Sequence, residues 1–189
     1  MPIVPTASCE LKLPLIQLPV FEGETWTFPD WWSTFREMIH NSKYSNITKF
    51  IYLKSCLEKK ALDTIRTIRF SDDGYQHAID ELHSQFGDET QRTEDLYTKL
   101  QELKFGKSLE HQQKTLREIR GYLMQLDTLG DAHDNPALNT LILKKFDRQI
   151  QTEVEKLRIK KEYKLSQKDM LEKLDQILKR ELTLEKRFP

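Results

Sequence analysis

The sequence predicts an all-α protein built as two small helical lobes entered through an extended N-terminal arm. Apolar residues recur at three- and four-residue spacings through most of the chain, helix-start residues precede those stretches, and turn residues are scarce. Of 189 residues six are glycine and seven proline, and four prolines, Pro2, Pro5, Pro14 and Pro19, fall in the first 19 positions. A β architecture needs more punctuation than the remainder supplies. Hydrophobic residues at 38%, charged residues at 32% and a mean hydropathy of −0.66 suit thin, well-solvated lobes better than one thick globule.

Residues 1–29 read as the arm, because prolines bias the residues before them toward extended geometry and Leu11, Leu13 and Leu15 alternate. Such a segment cannot bury itself, so its apolar side chains are expected on the first lobe or on a neighbouring subunit. Asp30 after Pro29 is the expected N-cap of the first helix, with Trp31, Phe35, Met38 and Ile39 on one face. Ser45 or Asn46 opens the second, which places Ile47, Phe50, Leu53 and Leu57 on one side. A third over 59–68 shows Leu62, Ile65 and Ile68. After Ser71-Asp72-Asp73-Gly74 a fourth aligns Tyr75, Ala78, Ile79, Leu82 and Phe86, and Gly87 is its expected left-handed stop. These elements give a first lobe over 30–87.

The second lobe, 88–189, opens with a short helix carrying Leu96, Leu100 and Leu103 and ended by Gly106. Ser108 caps a long helix with Leu109, Leu116, Ile119, Leu123 and Leu126, ended by Gly130. Asn135-Pro136 is a cap followed by proline at the first helical position, ahead of Leu138, Leu141, Ile142 and Phe146. Ile150, Val154 and Leu157 continue on a separate or bent helix, and Ser166-Gln167-Lys168-Asp169 forms a capping box before Met170, Leu174, Ile177 and Leu178. Four helices are expected before residue 88 and five after it.

The formal net charge is zero, so no global field draws the protein to nucleic acid or a membrane. Locally, residues 71–95 hold eight acids against Arg92, whereas 156–164 hold Lys156, Arg158, Lys160, Lys161 and Lys164 against Glu162. The basic run is a candidate contact for RNA or for an acidic surface of another subunit, although such runs are more often a solvated segment between helices. Cys9 and Cys56 form no disulfide framework. No signal peptide, spanning helix or lipidation signal is evident, and a cytoplasmic protein is expected.

Candidate chemistry is sparse. Asp72-Asp73-Gly74 and Asp127-Thr128-Leu129-Gly130 only approach the paired loops of an aspartic protease and read better as a helix-opening turn and a helix stop. Two cysteines 47 residues apart cannot build a zinc knuckle. The histidines do not pair at i, i+4, and Asp131-Ala132-His133-Asp134 fits a loop and cap better than a metal site. No enzymatic activity, cofactor or metal is therefore expected. Trp26, Phe28, Trp31, Trp32 and Phe35 read as core, with Trp32, off the main stripe, expected to be exposed or to meet a partner.

Several of these residues carry a resemblance. Leu18-Pro19, Phe21 and Gly23 in the arm, Trp31 with Phe35, Lys49-Phe50 with Leu53 and Leu57, and Phe86-Gly87 resemble the capsid region of the Gag polyproteins of Bel/Pao-type LTR retrotransposons, in specific residues over about 13–130. The resemblance implies N- and C-terminal capsid-like domains, and a structural protein that self-assembles into a shell packaging retroelement RNA, in cytoplasmic virus-like particles. The partners it implies are further copies of the chain, in rings and two-fold contacts, and element RNA held mainly by a nucleocapsid segment outside this chain, with no membrane. It places the helices at 30–40 and 46–57 around the ring axes and the helix at 136–146, with Leu138, Asn139 and Leu143, at the two-fold contact. Where the family usually has a glycine before the third-helix alanine, this chain has Glu58-Lys59-Lys60-Ala61, and a tighter or more helical turn is expected. A domesticated capsid-derived host protein and a helical protein-interaction adaptor are the alternatives.

Overall fold

The computed structural model describes residues 18–162 and 165–187, and among these it is all-α, with nine α-helices and no strand. The chain divides into two compact units, Met1–Phe86 and Gly87–Pro189.

The first unit holds α1 (Phe28–Phe35), α2 (Asn46–Ser55), α3 (Lys59–Thr64) and α4 (Asp72–Phe86). A 3-10 turn, Thr25–Thr27, leads into α1, and a π-helical turn, Arg36–His40, continues it. Leu18 packs on the core and Phe21 is fully buried. Phe21 donates its N–H to the Cys56 carbonyl at 2.9 Å and accepts from Glu58 N–H at 2.9 Å, a single parallel bridge that threads it between α2 and α3. Its ring meets Phe28, Trp31 and Phe86 at 5.4, 5.1 and 5.1 Å. Trp31 Nε1 donates to the Pro19 carbonyl at 3.1 Å, pairing the polar edge of an otherwise buried indole. Residues 1–17 of the predicted arm lie outside the described residues, and its last residues, from Thr25, are already helical.

Several local expectations change. The first helix begins at Phe28, with Thr27 before it and Pro29 in its first turn, where proline's fixed φ is already helical. Asp30 is therefore a first-turn acid, favourable beside the helix dipole, and not the N-cap. The wider π turn swings Ile39 inward and leaves Met38 only partly buried. Ile47, expected in the core, is 45% exposed, because α2 buries the Phe50, Leu53 and Leu57 side instead. The third helix stops at Thr64, and turns carry the chain through Ile65, still buried, to Ile68. The turn expected at Ser71-Asp72-Asp73-Gly74 does open α4, and Ser71 holds it: its Oγ accepts from Gly74 N–H at 2.9 Å and its carbonyl from Tyr75 N–H. Gly74 sits inside that first turn, where a Cβ would fall 2.1 Å from the Arg69 carbonyl oxygen. Gly87 lacks the expected left-handed φ; positive-φ glycines among the described residues are Gly23 and Gly130. The next helix begins almost at once instead, on Asp88.

The departure at Glu58-Lys59-Lys60 has a backbone signature. Lys59 takes φ +49°, the left-handed region in which a glycine would be unstrained. Its Nζ reaches Glu22 Oε2 at 2.6 Å. Gly23, opposite, has φ +108°, and a Cβ there would lie 2.9 Å from Lys60 Cβ and 3.0 Å from Ala61 N.

The second unit holds α5 (Glu89–Glu102), α6 (Leu109–Thr128), α7 (Pro136–Leu143), α8 (Arg148–Lys160) and α9 (Gln167–Arg187). The side chains of Asp88, Ser108, Asn135, Asp147 and Ser166 each accept from a first-turn N–H, so every helix start here carries its own cap. α5 is longer than expected and stops at Glu102, with Leu103 turned to extended ψ. Lys145 Nζ donates to the Gln101 and Leu103 carbonyls at 2.6 Å, satisfying that helix end. Gly106 has a packing role instead of a stop role: a Cβ would meet Gln112 Cγ at 2.6 Å. Gly130, at φ +72°, does terminate α6. α6 packs along α9, with α5 against α6 and α8 against α9. Leu96, Leu100, Leu116, Ile119, Leu126, Ile142, Phe146, Val154, Leu174 and Leu178 fill the space between them.

Candidate assembly surfaces

Among the described residues of the first unit, four of the exposed large apolar side chains gather on the outer flank of α2 and the turn before it. Ile47 and Ile51, one helical turn apart, are 45% and 57% exposed, and Tyr44 and Tyr52 beside them are 50% and 38% exposed. The two tyrosine rings stack at 5.8 Å and 28°. Water gains nothing from such a cluster; covering the half of each isoleucine that is still open contributes about 1–1.5 kcal/mol. The Ser45 cap, whose Oγ accepts from Thr48 N–H at 3.2 Å, fixes the start of this helix and so the register of the flank.

Trp32 lies elsewhere in the first unit and is half-buried. Its ring packs edge-on with His83 at 4.7 Å and His40 at 5.3 Å, beside Trp31 and Phe35. His40 Nδ1 shares a 2.8 Å hydrogen bond with the Tyr75 hydroxyl, while Lys49 Nζ donates to the His40 carbonyl at 2.7 Å. Burial lowers the pKa of His40, helped by Lys49, Arg36 and His83. Burial also lowers that of His83 against the pull of Asp80, and pushes the Tyr75 phenol up to about 12. One side of Trp32 thus closes the core, and only its remaining surface is open to a partner.

In the second unit the α7 residues expected at a two-fold contact mostly face inward. Leu138 and Leu143 are 7% and 8% exposed. Asn139 donates from Nδ2 to Asp134 Oδ1 at 2.9 Å and accepts from Gln167 Nε2 at 2.8 Å, tying α7 to the start of α9. The outward side of α7 is Ala137 and Thr140, with Leu141 half-exposed. A groove of about 310 Å³ lies between Leu143, Val154 and Met170.

The basic run is partly neutralised within its own unit. Arg158 pairs with Glu155 at 3.3 Å and Lys161 with Asp169 at 2.7 Å, the latter holding the Asp169 carboxyl below its ordinary range. Lys156 and Lys160 are exposed, and Lys164 lies outside the described residues. Helix polarity accounts for much of the charge segregation. Arg158 and Lys160 occupy the last turn of α8, while Asp72 and Asp73 open α4, and Asp88 and Glu89 open α5.

The loop at 131–134 is structural. Tyr97 donates its hydroxyl to Asp131 Oδ1 at 2.8 Å, His133 Nε2 and Asp127 Oδ1 are 2.8 Å apart, and Gln167 donates to the His133 carbonyl at 3.3 Å. No cluster of His, Cys, Asp and Glu that could hold a metal occurs among the described residues, and no described helix is long and apolar enough to cross a membrane. Cys56 is a buried free thiol whose pKa burial raises.

Sequence reasoning missed Gln112. It is 3% exposed, and it grips the Asp147 cap of α8 through both ends of its amide. Its signal was a polar residue one turn before Leu116, on the apolar side of α6.

A family model described as "Protein of unknown function (DUF1759)" matches residues 21–163, from the buried Phe21 to beyond the end of α8. No curated protein and no solved structure matches the chain significantly.

Proposed function

Because this chain belongs to the DUF1759 family, a domain found in retrotransposon Gag/Pol-like proteins, we propose that it is the capsid region of a Bel/Pao-like Gag. In this reading it is a non-enzymatic structural protein that self-assembles into a shell around element RNA, in cytoplasmic virus-like particles. The observation that carries the reading is the family match, which runs across both helical units. Closed shells need contacts of at least two kinds, one closing rings and one joining them. The exposed α2 flank supplies an apolar surface for the first, and the outward side of α7, with Ala137, Thr140 and Leu141, is available for the second. The non-enzymatic part is supported by the polar clusters, whose groups are engaged in holding helices together.

Light scattering and negative-stain electron microscopy over rising protein and salt concentration test the proposal. Rings, tubes or closed shells that grow with concentration support it. A strict monomer favours an adaptor in which the α2 flank binds one partner stoichiometrically.

A further inference from the structure

The second unit carries a surface that the family match leaves without a ligand and that borders the α7 face offered above for the joining contact. The loop between α5 and α6 places Phe105 on the outside, 48% exposed, in a shallow groove that it lines with Leu103, Lys144, Lys145 and the α7 residues Ala137, Thr140 and Leu141. Gly106 N–H approaches the Lys145 carbonyl at 3.5 Å, and the two Lys145 Nζ bonds hold the end of α5, so the loop is fastened to the α7–α8 turn. Lys104 and Lys107 flank Phe105 and are exposed, as are Lys144 and Arg148 on the facing turn. Among the described residues none of these four forms an ion pair. The nearest acids in sequence are otherwise engaged or opposed: Glu102 lies 4.0 Å from Lys99, Asp147 caps α8, and Glu110 sits in the first turn of α6.

We propose that this groove binds single-stranded nucleic acid, with a base stacked on Phe105 and backbone phosphates held by Lys104, Lys107, Lys144 and Arg148. Unpaired cations around an exposed aromatic ring suit that ligand. The ring offers a π-face to any base, and each cation that meets a phosphate releases condensed counterions. The run at 156–162 fits less well, since two of its cations are already paired and no exposed aromatic ring lies among its described residues. The inference stands on the second unit alone and does not require a shell, although the groove shares Ala137, Thr140 and Leu141 with the α7 face offered for the joining contact, which nucleic acid and a second copy would then compete to cover. A protein that binds nucleic acid as a monomer satisfies it while failing the assembly proposal.

Fluorescence anisotropy of labelled 15-nucleotide poly-U and poly-dT with the full chain tests it, at low protein concentration and in about 50 and 200 mM salt. Binding that weakens with salt is expected, and with it a loss of about 5- to 100-fold in Phe105→Ala. Lys104→Glu with Lys144→Glu should weaken binding and flatten the salt dependence, with the circular dichroism spectrum unchanged. Lys156→Glu with Lys160→Glu should leave binding near the wild-type level. A preference for poly-U identifies RNA as the ligand, and equal binding identifies the single strand itself. No binding at low salt, or binding lost in the Lys156/Lys160 pair and kept in Phe105→Ala, overturns the assignment.

Discussion

Gln112 and Asp147 hold each other twice across the second unit. Gln112 Nε2 donates to Asp147 Oδ2 at 3.1 Å, and Asp147 N–H donates to Gln112 Oε1 at 3.1 Å. The same aspartate accepts from Ile150 N–H through its other oxygen, so one buried amide sets where α7 ends and α8 begins. Gln112→Leu keeps the bulk and removes both bonds, leaving the Asp147 backbone donor unpaired. A loss of about 1–3 kcal/mol in urea-induced unfolding is expected. Unchanged stability would mean that water replaces the amide and that the clamp does not set the turn.

Gly23 and Lys59 should respond in opposite directions. Gly23→Ala forces a side chain into φ +108° and against Lys60 and Ala61, and about 1–3 kcal/mol of destabilisation is expected. Lys59→Gly removes a side chain from a left-handed position, and its exposed pair with Glu22 is a weak counterweight. The urea midpoint should therefore fall for the first variant and rise for the second. A fall in both would show that the Lys59–Glu22 pair, not the backbone, governs this turn.

The histidines around Trp32 make the first unit sensitive to acid. Both His40 and His83 have folded pKa values below the ordinary 6.5, chiefly through burial, so unfolding takes up protons. Stability from these groups is whole above 6.5 and declines as the pH falls from there toward about 5, before most carboxylates titrate. Thermal melts at intervals across that window should show the decline. His40→Gln with His83→Gln should flatten it, and an unchanged slope in the double variant would place the proton uptake elsewhere.

Helix existence and several helix starts were legible in the sequence because both depend on neighbours along the chain, although the first helix begins at Phe28, ahead of the Asp30 cap the sequence suggests. Ser45, Ser108 and Asn135-Pro136 cap where their side chains and the following apolar spacing place them. The stop at Gly130 was legible, but the roles of other glycines were not, because they depend on what the fold brings alongside. Gly74 and Gly106 are required by the Arg69 carbonyl and the Gln112 side chain, and Gly87 needs no left-handed turn because Asp88 starts α5 directly. The facing of Ile47 was hidden for a related reason. Its spacing from Phe50 and Leu53 fits a shared stripe, and only the packing of α2 on α4 shows which side is covered. The facing of Leu138 and Leu143 was likewise hidden, since only the fold shows that both side chains complete the core of their own unit.

The most direct test of self-assembly through the first unit is sedimentation velocity of the wild-type chain beside Ile47→Glu with Ile51→Glu, over a hundredfold range of concentration. Both isoleucines are exposed, so the double variant should unfold within about 1 kcal/mol of wild type. The wild type should shift to heavier species as concentration rises, and the variant should remain monomeric throughout. A variant that associates as the wild type does would contradict the α2 flank as the contact, and a wild type that stays monomeric at every concentration would contradict self-assembly by this chain.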